Sequence, residues 1–405
     1  MDNYLKNMFI DEAKPALNRH SGGAGGGSSD FVDNGVIHED KYRVRYFDVD
    51  GTILKIEYVE SGGKLTPPSN PSYDPEYLTF EEWNYDIDNH VVEQPTDVGA
   101  IYNTVDNTTY LFCRFNSYTG LNPTLAVSGF TSIDWGDGTV DTNNTHTYAT
   151  VGLYTIKIKG DISFTTSSSK YLLGSNSKNA SLYKIYIPET VSIFTASEFK
   201  ECRSLQVVSL PKTMTIVESS LFSNCCGIEH INVPKNVESI GSSSFNECRS
   251  LCSISLPLAI NSIDSSAFYN CSSLEFVYIS PNVVTISAQM FNNCNSLKDI
   301  ILHDNITTIK TYAFNACYSL KKIKLPKNVS TIESYAFYNC SSITDYFIES
   351  TSVPTLANAN AFSGWNHACI MWVNDELTNR FKSSTGWSTH SSRILSKSLY
   401  QDMTI

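Results

Sequence analysis

The sequence predicts a mainly β protein whose C-terminal half is a solenoid of 23-residue rungs, preceded by two smaller β modules. Three observations lead there. Cys202, Cys225, Cys248, Cys271, Cys294, Cys317 and Cys340 stand 23 residues apart without a slip, and a fixed period of this size marks a solenoid in which each repeat adds one rung to a continuous core. A phenylalanine stands three residues before each cysteine (Phe199 through Phe337), and a Leu or Ile three after it (Leu205 through Ile343). Upstream, short alternating runs rich in Tyr, Val, Ile and Thr are separated by Gly, Asn, Asp and Pro, the pattern of strands joined by tight turns.

The composition supports this class. A chain of 405 residues exceeds one ordinary core and predicts two to four domains. Only 17% of residues are charged, with 23 Tyr and 20 Phe, which suits β-rich extracellular modules better than helical enzymes. A net charge of −12 without a Lys/Arg cluster argues against nucleic-acid binding and offers no basic patch to anionic membranes. No apolar run reaches the length of a membrane span. Asp2, Lys6, Asp11, Glu12 and Lys14 interrupt the first residues, so no secretory signal is expected there. The C-terminus, residues 397 to 405, shows no sorting motif, and the expectation is a protein released as part of a particle. Eleven cysteines contain no CxxC pair, which leaves a zinc site without support. The ladder cysteines are expected to be reduced and to pack as small hydrophobes.

In chain order, residues 1–20 read as a short amphipathic docking helix with Tyr4, Leu5, Met8, Phe9 and Leu17 as its contact residues, interrupted by Pro15. Residues 21–41 are a Gly/Ser-rich linker. Residues 42–104 form the first module, with strands at 42–47 and 53–59, a turn at Asp50-Gly51, a proline-punctuated loop and a strand at 80–83. Residues 105–160 form the second, where Asp137-Gly138 turns a hairpin, Trp135 anchors the core and Tyr154, Ile156 and Ile158 face inward. Residues 161–350 are the solenoid with an N-terminal cap. Its first repeat is incomplete, with Asn176 and Asn179 in place of Phe and Cys, as expected of an end rung. Pro211, Pro234, Pro257 and Pro326 limit strands to one short rung. Residues 351–405 form the C-terminal cap.

Several of these segments resemble known families. The register of residues 176–350 resembles the BspA-type leucine-rich repeat, and Ala361-Phe362-Ser363-Gly364 to Trp387 resembles that family's cap. Phe47-Asp48-Val49-Asp50-Gly51, Pro67-Pro68 and Trp83 resemble the Listeria–Bacteroides (internalin B-type) repeat, which implies a β-grasp-like spacer. Ile133-Asp134-Trp135-Gly136-Asp137-Gly138-Thr139, followed by His146-Thr147-Tyr148, resembles the PKD-like family, which implies an immunoglobulin-like sandwich. Residues 1–23 resemble the N-terminal peptide of structural proteins from phages of gut bacteria, which implies a virion anchor.

Chemistry has few candidates. Phe47 to Leu54 also matches the first motif of haloacid-dehalogenase phosphatases, with Asp48 and Asp50 as nucleophile and acid/base. The alternating helices which that chemistry needs do not follow, so the hairpin reading is preferred and no enzyme is expected. Asp134, Asp137 and Asp141 could hold Ca²⁺, although capping of tight turns accounts for them better. His38-Glu39-Asp40 lacks the second His of a zincin. No metal or cofactor is expected.

The remaining candidate is surface. Five and seven residues after each ladder position, outward-facing columns contain Tyr186, Phe276, Tyr278, Asp299, Ile301, Lys322, Lys324, Asp345 and Phe347. Aligned aromatic and aliphatic residues with a charged rim are what protein or sugar recognition requires. The alternative is that a neighbouring module or an oligomer partner covers the strip. The functional expectation is a non-enzymatic adhesion or recognition protein. It would be virion-associated, docked through its N-terminal helix on a capsid or tail protein, and would bind a host surface protein or glycan. A purely structural particle protein and a bacterial cell-surface adhesin are the other readings, and homo-oligomerisation is left open.

Overall fold

The computed structural model describes residues 41–403 apart from 93–94, 166–170, 192–193, 365 and 367. The expected docking helix, with Tyr4, Leu5, Met8, Phe9 and Leu17, lies outside the described residues, as does nearly all of the linker. From residue 41 onward the chain is mainly β, and the cysteine ladder marks a solenoid.

Each rung opens with a strand of three or four residues, such as His230–Asn232, Phe276–Tyr278 or Lys322–Leu325. Parallel pairing joins a strand to its equivalent one rung on, as in Phe276 to Asp299 and Lys322 to Asp345. A two-residue strand follows, for example Thr285–Ile286, Thr308–Ile309 and Thr331–Ile332, again paired in parallel. The chain then returns through a compact turn in which two residues per rung adopt left-handed backbone. One lies two positions before the phenylalanine (Ser197 through Tyr335, φ 57–73°), and the other just before the cysteine (Glu201 through Asn339, φ 58–64°). Asn occupies four of these second sites, because its short side chain tolerates that conformation better than most. Ala316, at φ 58°, has no such advantage.

Inside the turn, the phenylalanines from Phe199 through Phe337 continue to Phe362 as one column. Neighbouring centroids are 5.2–5.5 Å apart and ring planes lie within 20° of parallel. The ladder cysteines are fully buried and unpaired, as expected, but they are more than small hydrophobes. Six thiols, from Cys225 to Cys340, each donate to the carbonyl of the phenylalanine one rung back at 3.0–3.3 Å. That carbonyl already accepts the backbone N–H of its own rung's cysteine, as Phe245 does from Cys248 at 3.1 Å, so the thiol fills its second lone pair. Burial pushes the thiols of Cys225, Cys248, Cys271, Cys294 and Cys317 up, which keeps the proton needed for donation. Solenoids of short parallel strands set those strands along the inner side of a horseshoe, so the strand face is the concave one.

The first module is a sheet of β1 (Lys41–Phe47), β2 (Ile53–Glu60), β4 (Leu78–Trp83) and β6 (Thr96–Thr104) in the order β2-β1-β6-β4. Strands β3 (Gly63–Lys64) and β5 (Val91–Val92) make a small antiparallel pair beside it. Strand β1 runs antiparallel to β2 through the Asp50-Gly51 turn and parallel to β6. The second module contributes β7 (Thr109–Phe115), β8 (Val127–Asp134), β9 (Val140–Asp141) and β10 (Gly152–Phe164). Its Trp135, Ile156 and Ile158 are buried as expected, while Tyr154 is half-buried and stacks on buried Tyr148. It is not a separate bead. Strand β7 pairs with β11 (Leu182–Tyr186), the first solenoid strand, and β11 with β12 (Val207–Ser209), giving one sheet in the order β12-β11-β7-β10-β8-β9. One hydrophobic core runs from Leu111 to Ile394, so this module closes the end of the solenoid that would otherwise expose apolar side chains.

In the incomplete first rung, Asn179 takes the cysteine's place fully buried. It accepts from Leu173 N–H at 2.8 Å and donates to Lys200 O at 2.8 Å. At the other end the ring column passes from Phe362 to Trp387, whose indole N–H donates to Pro354 O at 2.7 Å.

Truncating one ring should open a gap bounded by rings on both sides. Phe268→Ala is expected to lower the unfolding free energy by roughly 3–5 kcal/mol, measured by urea denaturation. Ala316→Gly, which removes the Cβ from a left-handed site, is expected to raise it by about 1 kcal/mol.

Candidate ligand-binding face

The concave face is partly occupied by the chain itself. The first module folds back onto it, and its polar groups match the exposed edges of successive rungs. Asn232 is the centre of this contact. Its amide donates to Asp48 O and Ala100 O at 3.0 Å each, which fixes its side-chain oxygen as the acceptor for His230 Nε2–H at 2.6 Å. Nδ1 of His230 is then left to accept from the Ser253 hydroxyl at 2.7 Å, and the imidazole stacks on Phe47 with centroids 4.2 Å apart. Asn84 donates to Val233 O and Ser255 O, and Tyr85 donates to Leu256 O.

Gly99 and Gly51 permit the approach. A Cβ at Gly99 would overlap the Asn232 amide, and one at Gly51, already at φ 88°, would stand 2.6 Å from the His230 Cβ. Three lysines on successive rungs meet acids of the module: Lys184 with Asp74, Lys212 with Glu81, and Lys235 with Glu82. Arg45 makes a two-pronged pair with Asp97 at 2.8 and 2.6 Å beneath this contact.

These contacts decide where the strip residues lie. Tyr186 is fully buried, donates to Asp74, and packs with Tyr77 and Phe112 in the module's core. Tyr278 is 7% exposed beside Arg43 and Arg45. Phe276 is half-buried at the module's edge, with the Arg43 guanidinium 5.6 Å and the Lys298 ammonium 6.0 Å from its ring centroid. At the far end, Phe347 is 5% exposed and lies edge-on to Tyr400 of the C-terminal helix Lys397–Met403 at 5.0 Å. Asp345 accepts from the Trp372 indole at 2.7 Å. Ile301 is 7% exposed. Asp299, Lys322 and Lys324 are half-buried between the two covered ends, with Lys324 4.0 Å from Glu349. The structure therefore brings together a short polar window, and places most of the apolar members of the strip in internal contacts. Asn84, His230, Asn232 and Gly99, which make the interface, were not singled out as site residues by sequence, and Gly51 was read only as a turn former. Their signal was the run of His, Asn and Ser in the outward columns of the rungs at 230–232 and 253–255, small polar groups suited to a partner's backbone.

The other candidates have settled partners. Asp48 is buried, and accepts from Tyr102 O–H at 2.6 Å and its neighbour's N–H at 2.8 Å. Asp50 caps its own turn at Thr52 N–H. Asp134, Asp137 and Asp141 cap turns at Gly136, Thr139 and Asn143 respectively, and Asp137 also pairs with His146 at 2.7 Å.

Burial lowers the His230 imidazole to about 4 from its ordinary 6.5. The neutral folded form binds fewer protons than the unfolded chain between those values, so stability is complete above about pH 6.5 and falls toward pH 4, by roughly 3 kcal/mol. Asp48, raised by burial, titrates with the opposite sign in wild type and variant alike. His230→Gln is therefore expected to flatten the pH dependence of the unfolding midpoint between pH 4 and 6.5. Gly99→Ala is expected to separate the first module from the solenoid, read as faster proteolysis between residues 104 and 109.

The family model described as "BspA type Leucine rich repeat region" matches residues 175–298 and 284–384, with six copies. No curated protein sequence matches. Among solved structures, a leucine rich cell surface protein from Faecalibacterium prausnitzii A2-165 is 30% identical, with a TM-score of 0.38 over 42% of this chain and 45% of that one. A leucine-rich repeat protein from Bacteroides ovatus ATCC 8483 is 24% identical, with a TM-score of 0.34 over 53% and 65%. The T. pallidum leucine rich repeat protein is 21% identical, with a TM-score of 0.35 over 49% and 86%. The chain thus spans less than two thirds of the first two. The family match covers just over half of the 405 residues and coincides with the rungs described above, and the chain belongs to the BspA-type leucine-rich-repeat family.

Proposed function

We propose that the protein is a non-enzymatic recognition protein displayed on the outside of a virion, and that the uncovered middle of its concave face binds a host surface macromolecule. The observation that carries this reading is the window itself. Both ends of the strand face are sealed by the chain's own segments, while Asp299, Lys322 and Lys324, with Phe276 and Asp345 at the margins, remain between them. A purely structural solenoid would have no need of a gap between two sealed ends. Charged residues around a small apolar centre suit a specific, reversible contact. The virion setting rests on the likeness of residues 1–23 to phage structural peptides. The buried, hydrogen-bonded state of Asp48 leaves it unsuited to attack a phosphate.

The direct test is binding of the full chain to whole gut-bacterial cells and mucosal glycoprotein. Lys322→Glu/Lys324→Glu is expected to weaken binding about tenfold or more, with unchanged thermal stability. Equal binding by wild type and variant would rule out the window. Deleting residues 1–29 is expected to abolish incorporation into particles while residues 41–403 still fold; antibody label on the bacterial envelope in place of particles would assign the protein to the cell surface.

A further inference from the structure

Where the second module joins the solenoid, strand β7 and the first three rungs line a cleft of about 270 Å³. Arg114, Asn116, Ser181, Tyr183, Gln206 and Gly227 are among its lining residues. It lies apart from the strand-face window, and its chemistry is different. Arg114 is exposed, has no ion-pair partner among the described residues, and is held over the Tyr183 ring with its guanidinium carbon 5.9 Å from the centroid. A cation seated on an aromatic face keeps its N–H fork available for a planar anion. Arg203, the other guanidinium on the cleft, is already tied to Glu201 at 2.8 Å.

The remaining polar groups are two side-chain amides and a hydroxyl. Asn116 already accepts from Tyr118 and Thr119 N–H through its side-chain oxygen, so its amide hydrogens are what it can offer. Gln206 makes no side-chain hydrogen bond among the described residues and is exposed at the mouth. Ser181 is 1% exposed; its hydroxyl lies against the Cys113 thiol and makes no other side-chain hydrogen bond among the described residues. A buried hydroxyl left in this state is costly unless a ligand or water completes it.

The repeat itself is altered to form the cleft. Two residues after the ladder cysteine, every other rung has serine: Ser204, Ser250, Ser273, Ser296, Ser319 and Ser342. Here Gly227 stands instead, and a Cβ on it would come within 2.8 Å of Leu205 O and 3.0 Å of Arg203 O. The two rungs approach too closely for a side chain at this point, and the cleft has no side chain at that part of its lining.

One guanidinium without an ion-pair partner among the described residues, beside two side-chain amides, defines a ligand that is anionic and carries several hydroxyls. We propose that this cleft binds an acidic monosaccharide unit of the uronic or sialic type. Its carboxylate meets Arg114, and its ring hydroxyls meet Gln206 and Asn116. An acidic peptide side chain would satisfy Arg114 and leave the other donors unmatched.

The test is saturation-transfer NMR on the full chain with glucuronate and N-acetylneuraminate, using glucose and acetate as controls. At least one acidic sugar is expected to bind saturably, about tenfold or more tighter than either control, and to weaken by about tenfold or more in Arg114→Ala. Arg114→Lys is expected to retain part of the affinity. Gln206→Ala is expected to weaken it severalfold, and serves as the reporter should Arg114→Ala not fold. Equal binding of glucose or of acetate, no binding of either acidic sugar, or binding unchanged by both substitutions would overturn the proposal.

Discussion

The structure depends on the contact between a cysteine thiol and the phenylalanine carbonyl one rung back. In this solenoid parallel strands hold two edges of each rung, and the turn that carries the phenylalanine is tied to the next rung by backbone hydrogen bonds such as Phe245 N–H to Ala267 O at 2.9 Å. Here the thiol, the ring column and the pair of left-handed residues all act at that turn. They also act in register, because each refers to the same 23-residue step. A hydroxyl would donate as well, but it would bring a second lone pair to satisfy in a dry core. An alanine would fill the space and leave the carbonyl's second lone pair unused. Cysteine is the residue that packs as a hydrophobe and still donates.

A stack of this kind has no internal stop, and both ends need a different solution. At the N-terminal end the second module supplies an antiparallel strand against β11 and merges its core with that of the rungs, while Asn179 replaces a thiol with a side chain that bonds both ways. At the C-terminal end Trp387 closes the ring column, and the last helix lies over Trp372 and Phe347. The first module adds a third closure, along the concave face, through hydrogen bonds and ion pairs in place of a shared apolar seam.

How much of this was legible in the sequence follows from which interactions are periodic. The ladder, the flanking Phe and Leu columns, the terminating prolines and the atypical first rung repeat at fixed steps, and they appear as the same features in the fold. The thiol's second role was not legible, since spacing identifies a buried position without saying whether it donates. The folding back of the first module was weighed only as an alternative, because Asn84, Asn232, His230 and Gly99 belong to no repeat and lie up to 148 positions apart. Tyr186 and Tyr278 looked like a recognition surface because aromatic residues on an outward column have the same composition whether the partner is foreign or the chain's own. Gly227 breaks a serine column that was not read from the sequence, and its meaning requires knowing that the backbone of the preceding rung passes beside it.

The returned module also determines how the molecule carries mechanical load. Segment 1–40 enters the structure at β1, an inner strand with neighbours on both sides, so a pull from that end shears its hydrogen bonds together and does not peel them one at a time. The force then crosses to the rungs from Tyr186 to Tyr278 through contacts spread over five successive turns. The first half of the solenoid is thereby splinted along its inner side, while the rungs from Asp299 to Leu325 have no such splint among the described residues. A ligand held in the middle of the concave face would sit at the boundary between a splinted segment and an unsplinted one.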